Sequence, residues 1–111
     1  MSDGSTERRS APRYPLILSA EVTDKVSGAK LTARTADVSQ TGCYIDTLNP
    51  IPAGSPVHVR LQHEEEIFES DGRVVYISPG LGMGIAFASK VPANQQVILD
   101  RWLDEAAKST K

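Results

Sequence analysis

One cysteine, two histidines and aromatic residues at only 5 % of 111 positions are what this sequence has least of. The single thiol, Cys43, can close no internal disulfide, so burial and hydrogen bonding must hold the fold, in keeping with a reducing compartment. His58 and His63 are five positions apart in an extended segment and point to opposite faces, which makes them poor metal partners. Paired carboxylates, a histidine cluster and metal-ligand spacing are all missing, so no catalytic residue, metal or cofactor is expected. No run approaches the roughly 20 apolar residues of a membrane-spanning helix. Met1 to Thr6 lacks the basic and apolar regions of a signal peptide, and a cytoplasmic protein without membrane insertion is expected. There is no basic surplus either, with 12 Lys and Arg against 14 Asp and Glu and a formal net charge of −2. Tracking a phosphate backbone requires positive charge and stacking requires aromatics, so DNA and RNA are not expected as partners.

What is present is an ordinary globular balance, 40 % apolar and 23 % charged, at a length that buries one core and not two. Residues 1–7 are small and polar and read as a disordered tail. Residues 8–107 read as the domain and 108–111 as a second disordered tail. Pro12 and Pro15 bracket Arg13 and Tyr14 and favour an extended arm, because a residue before proline avoids the helical region. Apolar residues then recur with a period of two. Leu16, Leu18, Ala20 and Val22 mark a strand from Leu16 to Val22. Lys30 to Val38 follows, with Leu31 and Ala33 facing inward and Thr35 in register with them. Gly42 to Leu48, Pro56 to Gln62, Ile67 to Ile77 and Gly82 to Ala88 complete the set. Turn residues separate them, and Gly72 suggests a bulge or sharp bend in the long fifth strand. Glu64 to Glu66 reads as an exposed turn. From Val91 to Ala107 the spacing becomes helical, with Ile98, Leu99, Trp102, Leu103 and Ala106 on one stripe. The expected architecture is mainly β: a six-stranded antiparallel β-barrel with a C-terminal α-helix laid over it and a flexible N-terminal arm. A barrel this small is filled by its own side chains, so a ligand must bind outside.

Two short motifs carry the chemistry. Arg9-Ser10-Ala11-Pro12-Arg13, preceded by Arg8, lies on the arm. Asp37-Val38-Ser39-Gln40-Thr41-Gly42 lies on the turn after the second strand. Each guanidinium is a planar fork of donors that grips a phosphate, or the O6 and N7 edge of guanine, with two hydrogen bonds. A carboxylate such as Asp37 accepts from the adjacent N1 and N2 donors of guanine, a pair that adenine lacks. Ser39 adds a hydroxyl, and Gly42 allows a tight turn or close approach. Separately the motifs are weak, since two arginines in a polar segment are ordinarily a solvated patch and Asp, Ser and Gly are ordinary turn residues. Their conjunction, in this order and at these junctions, points to a guanine nucleotide bearing phosphates.

At these residues the sequence resembles the PilZ domain family, whose pattern is RxxxR in an N-terminal arm followed by [D/N]xSxxG on a barrel. Both patterns are complete, and Gly82-Met83-Gly84-Ile85-Ala86-Phe87 is similar to the family's glycine-rich last strand. The resemblance runs from about Glu7 to the end of the helix. It implies a receptor for the bacterial second messenger cyclic di-GMP, with Arg9 and Arg13 holding phosphate and the Hoogsteen edges of guanine. Asp37, Ser39 and Gly42 are implied as the opposite wall, and Arg8 is associated in the family with a ligand bound as a stacked pair. The expected protein is a stand-alone effector whose arm folds over the barrel on binding and signals to a downstream protein. The alternative is an adaptor of the same fold that binds a protein and no nucleotide, against which the intact motifs count.

Other features are blander. Gly80-Leu81-Gly82-Met83-Gly84 is followed by a strand and not a helix, so it reads as hairpin geometry and not a dinucleotide loop. Cys43 has no histidine base near it in sequence and reads as a packed thiol. Trp102 reads as the anchor between helix and barrel.

Overall fold

Alternating apolar residues in short segments can bury one face only by curling the sheet on itself, and that is the observed solution. A computed structural model describes residues 12–109, and the expectations for Arg8, Arg9 and the tail over 1–7 lie outside them. The strands are β1 (Tyr14–Pro15), β2 (Ser19–Asp24), β3 (Lys30–Val38), β4 (Gly42–Asp46), β5 (Pro56–His63), β6 (Glu66–Ser78) and β7 (Gly82–Phe87). One helix, α1 (Ala93–Ser109), follows. The hydrogen-bonded order is β1-β3-β2-β5-β6-β7-β4, and β3 also pairs with β4. That extra ladder closes β2 to β7 into a six-stranded antiparallel barrel, with the two-residue β1 laid outside it along β3.

Inward residues follow the period of two. Val22, Ile45, Val57, Val59, Leu61, Phe68 and Val74 are fully buried, so side chains occupy the interior as expected of a barrel this small. Helix α1 packs on β6 and β1 and brings Leu99, Trp102 and Leu103 into the same core. Burying Trp102 hides an indole N–H, which needs an acceptor. Glu66 supplies it at 2.9 Å, while its other oxygen pairs with Arg101. Of the three acids expected in an exposed turn, Glu64 and Glu65 are exposed and Glu66 instead clamps the helix.

Two further expectations are corrected. The chain from Leu16 to Leu18 is not a strand, because the buried Thr35 hydroxyl takes the Leu18 N–H at 2.9 Å in place of a ladder partner and donates to the Leu16 carbonyl at 2.6 Å. Of the bulge or sharp bend expected at Gly72, the bulge falls instead at Val75. Gly72 pairs with Val57 on one side and Phe87 on the other, which leaves no room for an extra residue. Pairing with β5 ends at Arg73, so by Val75 only the β7 ladder has to absorb the bulge.

Candidate functional site

The candidate site is built where β3 turns into β4. Val38 and Cys43 are opposite each other and buried, so the preceding pair, Asp37 and Tyr44, faces outward. A register shift between Thr35 and Asp37 sets this alternation. Asp37 is half-buried on the outer wall, and among the described residues its carboxylate has no hydrogen-bond or ion-pair partner. Beside it runs β1, with Tyr14 opposite Val38 and Pro15 opposite Asp37. Arg13 is the next residue outward, exposed and alongside the Ser39 end of β3. The root of the arm is therefore fixed against the acidic motif, and the Thr35 hydroxyl pins the chain just after it.

Ser39 is 5 % exposed, and its hydroxyl is occupied by the turn itself. It accepts from the Thr41 N–H at 3.2 Å and lies 3.3 Å from the Gly42 carbonyl, while the Ser39 N–H donates to that carbonyl at 2.8 Å. Gly42 opens β4 where β7 runs close beside it. A Cβ there would run into the backbone carbonyl oxygen of Ile85. The two residues thus shape the edge on which Asp37 is presented.

Behind this edge the Cys43 thiol is pushed up to about 12, first by burial and then by the nearby Asp37 charge. It stays protonated at neutral pH and is no nucleophile. Gln40, a variable position of the motif, reaches α1 and donates to Asp100 at 3.2 Å, an acceptor it shares with Gln96. Pro12, Tyr14, Gln40, Leu103 and Asp104 line a cleft of about 260 Å³ between the arm, the turn and α1. Sequence reasoning set Thr35 in register with the inward residues but gave neither it nor Gln40 a role. Thr35 was visible as a polar residue on an inward-facing position, whereas nothing local marks Gln40 as reaching the helix.

The histidines fall as the spacing indicated. His58 faces outward between Asp71 (3.0 Å) and Glu69 (2.8 Å), whereas His63 packs edge-on to Trp102 with ring centroids 5.7 Å apart. Among the described residues no cluster of three or more His, Cys, Asp and Glu side chains is placed to hold a metal ion. No helix among them is long and apolar enough to cross a membrane.

A six-stranded barrel filled by its own side chains, with a helix packed on it and Asp37 on the outer wall, defines a class of small barrel that offers a ligand its outer surface. A family model described as PilZ domain matches residues 7–105, and the chain belongs to that family. Among curated proteins none matches. The PilZ domain with c-di-GMP of YcgR from Escherichia coli aligns at a TM-score of 0.74 and 16 % identity, over 93 % of this chain and 94 % of that one. The Bacillus subtilis inhibitor of motility MotI/DgrA aligns at 0.77 and 16 % identity over 94 % of this chain, which spans 53 % of that protein. The PilZ domain of CeSA from a cellulose-synthesizing bacterium aligns at 0.64 and 22 % identity, covering 81 % of this chain and 92 % of that one. At such identities these likenesses establish the shared barrel.

Proposed function

We propose that the protein is a cytoplasmic bacterial receptor for cyclic di-GMP, acting by binding and not by catalysis. The observation that carries this reading is the pairing of β1 with the end of β3, which sets Pro15 opposite Asp37 and leads the chain back through Arg13 alongside the Ser39 end of the motif. Arg9 and Arg13 grip phosphate and the O6 and N7 edge of guanine, and Asp37 accepts from N1 and N2. Ser39 and Gly42 hold the turn that keeps this carboxylate in place. Arg8 adds a further cation for a ligand bound as a stacked pair. That the YcgR PilZ domain from Escherichia coli was solved with c-di-GMP supports the choice of ligand. The arm's described root, from Pro12, lies on the barrel, and on this reading binding draws the arginines before it over the ligand, and the altered surface signals to a downstream protein.

Isothermal titration of the purified chain with cyclic di-GMP, with GMP, GTP and cyclic di-AMP as controls, tests the proposal. Selective binding is expected, and two ligands per chain would support the role given to Arg8. Absence of binding at high micromolar ligand would move the protein to the nucleotide-independent adaptor class.

A further inference from the structure

The outer wall next to Asp37 carries an aromatic feature that the two motifs do not include. Tyr44 is the cross-strand partner of Asp37 on one side and of Gly84 on the other, and Gly84 in turn pairs with Tyr76. These residues form one outward-facing row across β3, β4, β7 and β6. Both tyrosine rings lie against the backbone of β7. A Cβ on Gly82 would sit 2.8 Å from Cε2 and 2.9 Å from Cζ of Tyr44, and one on Gly84 would sit 2.8 Å from Cδ2 of Tyr76. The ring centroids are 6.1 Å apart with planes inclined by 30°. Residues two apart on a strand are separated by about 6.6 Å. The rings therefore tile β7 side by side and do not stack on each other. Tyr76 is 39 % exposed and Tyr44 half-buried, so ring surface remains open to solvent.

Covering cross-strand glycines with aromatic rings stabilises a sheet and would account for the tyrosines alone. It does not account for their position in line with the one carboxylate of the candidate site. At Asp37, β3 is flanked by Pro15 of β1 on one side and Tyr44 of β4 on the other, and a base whose N1 and N2 edge bonds to Asp37 while its ring extends over β4 meets Tyr44 at that level. We infer that Tyr44, extended by Tyr76, is the stacking floor of the nucleotide site and contributes to its preference for a purine base. This inference rests on the receptor reading above. Guanine offers the largest stacking face of the bases and the donor pair that Asp37 requires, so the two contacts select the same ring.

The test titrates cyclic di-GMP into the intact protein and into Tyr44→Leu, Tyr76→Leu and Tyr44→Phe, with thermal midpoints recorded for each. Leucine keeps the glycines covered but removes the π face, whereas phenylalanine keeps the face. Tyr44→Leu is expected to weaken binding at least about tenfold and Tyr76→Leu by a smaller factor, with Tyr44→Phe within about twofold of the unaltered protein. In the unaltered protein, the ring-proton resonances of Tyr44 are expected to shift in step with occupancy, a readout that does not depend on any variant folding. If the unaltered protein binds but those resonances stay still and a folded Tyr44→Leu keeps full affinity, the stacking floor is wrong and the receptor reading stands. If the unaltered protein does not bind at all, both fall.

Discussion

Asp37 and Gly42 belong to one short motif, yet the structure assigns them different work. The Asp37 carboxylate has no partner among the described residues, so removing it costs the fold little, within about 0.5 kcal/mol for a site of this kind. It is the acceptor proposed for guanine, and Asp37→Ala is expected to lower cyclic di-GMP affinity at least about tenfold, the loss of some 1.4 kcal/mol. Gly42→Ala is expected to act in the opposite way. Its new methyl meets the Ile85 carbonyl, a backbone atom that cannot step aside, and crowding of this sort destabilises by about 1–3 kcal/mol. Ser39→Ala falls between them, because the Thr41 N–H loses an acceptor, at a cost of about 1 kcal/mol. Urea midpoints beside titration calorimetry separate the three. An Asp37→Ala protein that unfolds as early as Gly42→Ala would make Asp37 a structural residue and remove the central contact of the proposed site.

The elements differ in how far their sequences disclosed them. Strands β3 to β6 were legible because each buries one face more than the other, β7 by its apolar and glycine run between turn residues, and the helix because the apolar spacing changes at one point. The start of β2 was misread at Leu16, since an alternating pattern does not reveal that a threonine from another strand will take the Leu18 N–H. The bulge was misplaced at Gly72 for a similar reason: a glycine marks where backbone passes close, whereas the bulge depends on which ladder has ended. The motif residues of the site were visible as chemistry. Tyr44 and Tyr76 were not, because they lie far apart in the chain and meet only across β7. Glu66 is the sharpest case of hidden work, one member of an acidic triplet that bonds both Arg101 and the Trp102 indole. Glu66→Ala leaves that buried N–H without an acceptor, and a loss of about 1–3 kcal/mol is expected. The loss is expected to appear as an earlier thermal transition with red-shifted Trp102 emission as α1 loosens. Emission and midpoint unchanged from the unaltered protein would show that the apolar stripe holds the helix without the clamp.

Across the molecule, the proposed binding edge on β3 and β4 lies across the barrel from the outer face of β5 and the stretch of β6 at Glu69 and Asp71, well before Tyr76 on that long strand, and that separation makes a prediction about pH. His58 is held between two carboxylates of β6, and Lys25 pairs with one of them, Asp71, at 3.0 Å. The hydrogen bond to Asp71 first, and that to Glu69 second, raise the His58 pKa above its ordinary value, while the His58 and Lys25 bonds lower that of Asp71. A raised histidine pKa means that the folded protein holds the proton more tightly than the unfolded chain. Its stabilisation is complete below the unfolded value of about 6.5 and disappears as pH rises through the higher folded value. Asp71 acts with the opposite sign, its contribution being complete above an unfolded value of about 3.9 and lost as pH falls through the depressed folded one. The cluster therefore contributes most between about pH 4 and 6.5, and because the side chains are 41–55 % exposed its size is that of a screened surface pair, about 0.2–1 kcal/mol. His58→Gln is expected to be less stable than the unaltered protein at pH 5.5, by a margin that narrows as pH is raised to 8. Its affinity for cyclic di-GMP is expected to be unchanged at either pH, since the residue stands on the opposite wall. Urea midpoints at the two pH values read the first effect and calorimetry reads the second. A stability gap of the same size at both pH values would mean that His58 acts through packing and not through its charge, and a change in affinity would place the ligand on the wrong face of the barrel.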